Sequence, residues 1–310
     1  MAHRRIPRLA SADSLGYASE PKRWFAGPKQ TMAKHESRGR RENRGVGGGG
    51  HPWKFAYVRR YLAPYRVVFA SSTMDARVRG FDARDGIVVW GMRDDPKVQA
   101  LARGFGVPIW RMEDGFLRSV GLGSDRYAPA SLVLDRSGIY FDPTRPSDLE
   151  TILQTEEFPA SDVARAKALR ETIVRAGVSK YNVGDRAVRL PEVPKGKRVV
   201  LVPGQVEDDA SIMLGCTDVR TNADLLRAAR EAAPDAFVLF KPHPDVVSGN
   251  RRGAVDDAVA RKYADAVVLD APLPACLAIA HEVHTLTSLV GFEALLRGLD
   301  VTVLGRPFYA

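Results

Sequence analysis

Short apolar runs that open into small or polar residues recur along the chain, separated by stretches of helical period. Residues 67–72 start with Val67, Val68, Phe69 and Ala70 and end in Ser71 and Ser72. Residues 86–91 repeat the design, with Ile87, Val88, Val89 and Trp90 between two glycines. A helix is predicted over 96–105 and a further strand over 107–112. Strand, helix and strand at this spacing describe βαβ units and a parallel sheet. Residues 131–135 and 138–141 read as a hairpin turning over Arg136 and Ser137, and 146–176 as helix, with Ser161 and Asp162 near a helix start. From 178 to 198 the period disappears among Gly184, Pro191, Pro194 and Gly196, which suits a link between two lobes. Beyond it the alternation resumes: strands over 199–202, 237–240, 267–269 and 301–304, a helix over 221–233 capped by Thr221, and a helix over 289–297 ended by Gly298. The fold class expected is α/β, with two Rossmann-type lobes and a crevice between them in the GT-B manner: 55–178 as the N-terminal lobe, 179–198 as linker, and 199–310 as the C-terminal lobe. There is no internal repeat.

Charge alters the picture at one end only. The chain of 310 residues carries a formal net charge of +9. Residues 1–50 hold 11 Lys and Arg against four Asp and Glu, a net of +7, which leaves +2 for the rest. The excess therefore belongs to a tail without apolar periodicity that ends in Gly47–Gly50, and this tail is expected to be disordered. A solvated extension, an attraction to an anionic membrane face and a nucleic-acid arm are its three readings, and no nucleic-acid fold follows it. No apolar run approaches the roughly 20 residues of a membrane-spanning helix. Hydrophobic residues make up 45% of the chain, which is ordinary for a globular protein. Cys216 and Cys276 fit buried thiols of a reducing, cytoplasmic compartment.

Four polar segments at predicted strand ends are the candidates for chemistry. In the stretch 110–119, Glu113 and Asp114 follow a strand directly and Gly115 allows a sharp turn, with an N-cap the plainer role for Asp114. In 202–212, Gln205 precedes three successive acids, Glu207, Asp208 and Asp209. Their repulsion raises pKa values unless a cation or donors stabilise them, and a solvated loop is the alternative. In 240–245, two prolines restrict the backbone and aim Lys241 and His243, a pair suited to a phosphate, with Pro244 behind them. In 286–298, hydroxyls and Gly291 at a helix start make an anion site. Ser288 there is equally a cap, and Glu293 is placed to accept from ribose hydroxyls. His281 and His284 lack partners at metal spacing, so no metal is expected. Gly121 and Gly123 lack the third glycine of a dinucleotide fingerprint.

Taken in order, Met112–Ser119, Ser179-Lys180-Tyr181-Asn182, the Gly204–Ile212 segment, Lys241-Pro242-His243-Pro244 and the Thr287–Leu295 segment resemble the capsule polysaccharide biosynthesis family of KpsC-like retaining β-Kdo transferases. The resemblance covers the chain from about residue 67. It implies a GT-B-like glycosyltransferase with CMP-Kdo as donor and no further cofactor. The implied acceptor is a lipid-linked Kdo oligosaccharide at the inner membrane, in capsule synthesis and export. It implies Glu113 and Asp209 as the catalytic acids, their neighbours Asp114 and Asp208 remaining alternatives. His243, Ser288 and Glu293 would handle the CMP moiety, with Arg118 and Lys180 as candidates for the Kdo carboxylate. Family members commonly carry two such modules where this chain has one. The pattern continues beyond Tyr309-Ala310, so a second lobe lacking its last helix is expected. The rival readings are an enzyme for a different nucleotide sugar, a UDP-sugar transferase or epimerase, and a non-catalytic export or binding module.

Overall fold

The computed structural model describes residues 23–26, 53–92, 95–122, 126–185 and 187–310. The tail expected to be disordered lies outside these residues except at Arg23–Ala26, which form strand β1. By compactness the chain divides after Trp110, into units 1–110 and 111–310.

In the first unit, β1 (Arg23–Ala26) is followed by α1 (Trp53–Tyr61), β2 (Arg66–Phe69), α2 (Thr73–Val78), β3 (Asp85–Trp90) and α3 (Pro96–Phe105). The backbone of β1 pairs in parallel with β2 on one side and β3 on the other. This corrects the reading of 1–50 as uniformly unstructured: four residues with two aromatics, too short for a periodic signal, form an inner strand. Helix α3 has the bounds the sequence predicts because each end is signalled locally. Asp95 accepts from the Lys97 N–H, Pro96 opens the first turn, and Gly106 closes the helix at φ 66°. Its buried Leu101 and Ala102 pack with Ile87, Val89, Phe81 and Val107.

The second unit begins inside β4 (Ile109–Asp114), which pairs antiparallel with β5 (Leu132–Asp135). The hairpin expected between 131–135 and 138–141 is therefore replaced: β5 pairs with β4. After β5 the chain turns, because the Asp135 carboxylate collects the Ser137 and Gly138 N–H groups. Two helices follow, α4 (Asp148–Thr155) and α5 (Ala160–Arg175), where one was predicted. The break at 156–159 falls just before Pro159, and a capping box of Ser147 and Glu150 starts α4.

A parallel five-stranded sheet completes the unit. In chain order its elements are β6 (Val199–Pro203), α6 (Ala210–Gly215), α7 (Asn222–Ala232), β7 (Phe237–Lys241), α8 (Pro244–Val247), α9 (Asp257–Tyr263), β8 (Ala266–Val267), α10 (Leu273–Ile279), β9 (Glu282–Thr285), α11 (Leu289–Leu296) and β10 (Asp300–Val303). The strand order is β10-β9-β6-β7-β8. Alternation splits β6 and β7 between two cores. Val200, Val202, Val238 and Phe240 join α7 on one face, whereas Val199, Leu201, Phe237 and Leu239 join α10 on the other. Strand β9 has no apolar run to announce it, since Glu282-Val283-His284-Thr285 hides two polar side chains in the sheet. His284 is tied there to Glu282 at 2.7 Å, and His281 Nδ1 accepts from the Val199 N–H, so both histidines serve packing.

The stretch expected to link two lobes lies inside this second unit. The Arg118 and Ser119 N–H groups donate to the Lys180 carbonyl, the Gly121 N–H donates to that of Tyr181, and the Asn182 amide bonds Ser119 and Ser179. Side-chain and backbone bonding of this density fixes a segment that its Gly and Pro content describes as a loop. Both cysteines are buried, and burial raises both thiol pKa values.

Candidate active site

The sheet order reverses between β6 and β9, and in open α/β sheets a ligand sits at such a switch point, beyond the carboxyl ends of the strands. Two loops meet there. Gln205, after β6, donates through Nε2 to Thr287 Oγ1 at 3.1 Å and accepts the Thr287 N–H through Oε1 at 2.9 Å. Thr287 Oγ1 also lies 3.1 Å from Ser211 Oγ. Gln205 is buried and both ends of its amide are used, so it braces the crevice and does not reach into it.

The three successive acids do not share one site. The Glu207 carboxylate accepts from the Asn222 N–H at the start of α7. Asp208 pairs with Arg251 at 3.0 Å, both side chains being substantially exposed. Asp209 caps α6, its Oδ1 accepting from the Ser211 N–H at 3.0 Å and the Ser211 hydroxyl at 2.8 Å. Each charge thus has its own donors, which relieves the repulsion expected from the sequence. The charge of Asp209 favours the protonated His243 imidazole.

The His-Pro turn lies beside that loop because Gly204 lets the two backbones touch. Its N–H donates to the Lys241 carbonyl at 2.8 Å, and a Cβ there would stand 3.1 Å from Pro242 Cα. His243 caps the short helix α8, with Pro244 at its first position: Nδ1 accepts from the Asp245 N–H at 3.1 Å, which puts the proton on Nε2. Burial lowers the His243 pKa to about 4; Lys180 and Arg251 add to this, while Asp245 and Asp209 oppose it. The ring is therefore a neutral donor at pH 7. Lys241, expected to share the phosphate with it, is turned elsewhere. Its Nζ donates to the Leu269 carbonyl at 3.2 Å and faces Cys276 and Asp270, and burial lowers its pKa. Lys241 is the last residue of β7, whereas His243 lies beyond the strand as the cap of α8, so the two side chains belong to different elements.

On the other side of His243 stands Lys180. Tyr181 presents its ring edge to His243, with centroids 6.2 Å apart, and Lys180 Nζ sits 5.2 Å from the Tyr181 ring centroid. Burial works against the Lys180 ammonium. Tyr181, Tyr140, Asp114 and Glu113 outweigh it and hold the pKa above the usual lysine range. Tyr140 stays protonated because burial raises its pKa strongly. Glu113 and Asp114 end β4, Oε1 of Glu113 accepting the Asp114 N–H at 3.0 Å. Asp114 Oδ2 pairs with Arg118 Nε at 2.6 Å, and its buried Oδ1 has no protein partner among the described residues. Arg118 is not open to a ligand: it is 3% exposed and bonds Asp114, the Ser119 hydroxyl and the Tyr127 carbonyl. Asp114 is thus the anchor of Arg118.

Gly115, where the chain leaves β4 and bends, serves a close approach without a positive φ. A Cβ on it would lie 2.2 Å from Ser131 Oγ and 3.0 Å from the Ser131 carbonyl carbon. Gly115→Ala is expected to destabilise this unit by about 1–3 kcal/mol through overpacking, checked as a lowered midpoint in urea. Beyond the glycine, Phe116 stacks on Phe308 at 5.0 Å and contacts Tyr140 and Phe292, which ties the loop to α11.

Helix α11 starts at Ser288, whose Oγ accepts from the Val290 N–H and whose carbonyl accepts from the Tyr309 hydroxyl. Ser288 is a cap, as one of its readings holds. Glu293 departs from the ribose role: it is 3% exposed, and its Oε1 accepts the Lys180 N–H at 3.0 Å. Burial raises its pKa to about 7, opposed by the Lys180 N–H and by Arg297 and Lys180. Because the folded state holds this proton more tightly than the unfolded chain does, its stabilisation is complete below about pH 4.5 and is lost as pH rises through 7. The loss is at most about 3 kcal/mol. Glu293→Gln is expected to flatten that part of the stability–pH curve, measured by urea unfolding between pH 4.5 and 8. Among the described residues no cluster of three His, Cys, Asp or Glu could hold a metal ion, and no helix is long and apolar enough to cross a membrane.

The sequence model of the capsule polysaccharide biosynthesis protein family matches residues 85–182 and 172–310. The capsule polysaccharide modification protein LipA of Neisseria meningitidis serogroup B is 47% identical over 262 residues, which are 83% of this chain and 36% of that protein. The lipopolysaccharide-processing protein LpsZ of Rhizobium meliloti is 42% identical over 272 residues, 84% of this chain and 61% of LpsZ. This chain therefore spans between about a third and three-fifths of the length of these relatives. Among solved structures, the β-Kdo 2,7 transferase of Thermosulfurimonas dismutans KpsC superposes with a TM-score of 0.64 and 30% identity over 93% of this chain and 80% of that one. Its β-Kdo 2,4 transferase superposes at 0.65 and 31%, over 79% and 74%.

Proposed function

The chain belongs to the capsule polysaccharide biosynthesis family, and from that premise we propose that it is a retaining β-Kdo transferase of the GT-B kind, using CMP-Kdo and extending a lipid-linked Kdo acceptor. One observation carries the reading. Beyond the carboxyl ends of β6 and β7, Asp209 keeps its Oδ2 out of its cap bonds and His243 bonds a backbone N–H through Nδ1; Tyr181, whose ring edge faces His243 at 6.2 Å, has Lys180 Nζ 5.2 Å from its centroid. That set matches the needs of transferring an anionic sugar from a nucleotide. The likeness to two Kdo transferases at 30% and 31% identity supports the sugar.

In this mechanism Asp209 attacks the anomeric carbon of Kdo. The carbon–oxygen bond to CMP breaks, and its electron pair leaves with the phosphate, which the His243 Nε2–H stabilises as a hydrogen-bond donor. Lys180 offsets the sugar carboxylate. Glu113 then takes the proton of the acceptor hydroxyl, whose oxygen displaces Asp209 from the same carbon. Two inversions give net retention. Asp209 is preferred over Asp208 because Asp208 is paired with Arg251. Thr287 and Gln205 brace the nucleotide side of the crevice. The protein is proposed to work in the cytoplasm, at the inner membrane where its acceptor is held and near the export machinery.

A donor panel tests this. The chain is offered CMP-Kdo made in situ with a β-Kdo-terminated lipid acceptor, and in parallel UDP-hexoses. Kdo transfer with retained configuration is expected. Turnover of a UDP-sugar with none from CMP-Kdo would move the protein to another nucleotide sugar.

A further inference from the structure

We infer that Glu293 is a positioning residue for the sugar-carboxylate subsite, acting through the backbone of Lys180. The inference rests on the proposed role of Lys180 and adds to it a residue that touches no substrate. Glu293 lies on α11 and is separated from Lys180 by 113 residues of sequence, yet its Oε1 takes the Lys180 N–H at 3.0 Å. The end of the same helix reaches the segment once more: its cap residue Arg297 donates through Nη2 to the Val178 carbonyl at 3.2 Å, while its Nη1 donates to the Glu293 carbonyl at 2.8 Å. From the other side, the Arg118 and Ser119 N–H groups hold the Lys180 carbonyl. The peptide unit on each side of Lys180 is thus clamped, one by α11 and one by the loop that follows β4. A lysine on a free loop would lose its geometry to four rotatable bonds and a mobile backbone; this one loses only side-chain freedom.

The carboxyl is an expensive means of holding one amide. It is 3% exposed, and its Oε2 is buried with no hydrogen-bond partner among the described residues. The charged groups facing it are Arg297, 3.9 Å from Oε2 on its own helix, and Lys180 on the adjoining loop. A neutral side chain would satisfy the Lys180 N–H equally well, so the acid adds something besides the bond. With a pKa of about 7 it is half ionised near neutrality, and its charge adds to those of Glu113 and Asp114 in favouring the Lys180 ammonium. Because Phe292 on the same turn packs against Phe116, the helix that holds Lys180 is the one that holds the Glu113 loop.

The test compares Glu293→Leu, which removes the acceptor, with Glu293→Gln, which keeps an acceptor oxygen but cannot ionise. Three quantities are read in each full-length variant: hydrogen exchange of the peptide containing Lys180, the affinity for CMP, and kcat/KM for CMP-Kdo between pH 6 and 8.5. In Glu293→Leu, exchange at Lys180 should rise at least about tenfold with the strands of the sheet unchanged, CMP affinity should hold, and kcat/KM should fall roughly 30-fold or more. In Glu293→Gln, protection should return and most of kcat/KM with it, while an inflection near pH 7 disappears. Unchanged protection of Lys180 in Glu293→Leu overturns the inference whichever donor the protein uses. So does a parallel loss of CMP affinity, which would mark a general packing defect. Loss of protection in Glu293→Leu in a protein whose parent form transfers no Kdo would uphold the positioning and overturn the donor assignment instead.

Discussion

Asp209→Ala is expected to reduce Kdo transfer by about 10⁴-fold or more while CMP still binds. A nucleophile has no substitute in a double displacement, and losses of that order accompany removal of one from a preorganised site. The alanine variant also removes an N-cap, which costs about 1 kcal/mol of helix stability and could be mistaken for a folding defect. Asp209→Asn separates the two effects. Asparagine caps as well as aspartate, so the Ser211 N–H and hydroxyl keep their acceptor and the loop keeps its shape. The asparagine variant should unfold at the parent's urea midpoint and be as inactive as the alanine variant. By contrast Asp208→Asn, which breaks an exposed pair with Arg251, should retain transfer within about threefold, as exposed pairs contribute at most about 1 kcal/mol. Loss of transfer in Asp208→Asn with activity kept in Asp209→Asn would exchange their roles. The measurement is kcat/KM with CMP-Kdo, next to calorimetric binding of CMP.

The second large effect belongs to Lys180. Lys180→Met keeps the length and apolar stem and removes the ammonium, and kcat/KM for CMP-Kdo should drop by about 10²–10³. Part of that loss is direct, from the sugar carboxylate. Part is indirect, because Glu113 and Asp114 lose the cation beside them. Lys180→Arg keeps the charge but changes its shape and should recover only part of the rate. A Lys180→Met variant with the parent's kcat/KM would remove this residue from the site.

The elements legible in the sequence were those whose ends carry their own chemistry. Thr221 before α7, the Asp95-Pro96 start and Gly106 end of α3, and the unbroken apolar β6 all appear where local reading places them. What was illegible depends on distant partners. Strand β1 is recognisable only from the strands on either side of it. Strand β9 hides His284 and Thr285 in a sheet that a polar tetrapeptide does not advertise. The bonding partners of the motif residues were not legible either. Arg118, Gln205 and Glu293 have the residue types that bind ligands, and each is instead satisfied by protein groups 4, 82 and 113 residues away. Lys241 and His243 are separated by one proline and were expected to act together, yet the strand end sends them to different partners. Tyr140 carried no signal at all, since a tyrosine between Ile139 and Phe141 looks like any other core aromatic.

The most direct test of a double displacement through Asp209 is to stop the reaction between its halves. Glu113→Gln with CMP-Kdo and no acceptor should release CMP and leave one Kdo residue on the protein, found by peptide mass spectrometry on the fragment that contains Asp209. The adduct should be absent from Asp209→Asn treated in the same way. A parent enzyme that transfers Kdo while every acid-quenched sample of both variants stays free of adduct, or an adduct on a fragment without Asp209, would contradict the account.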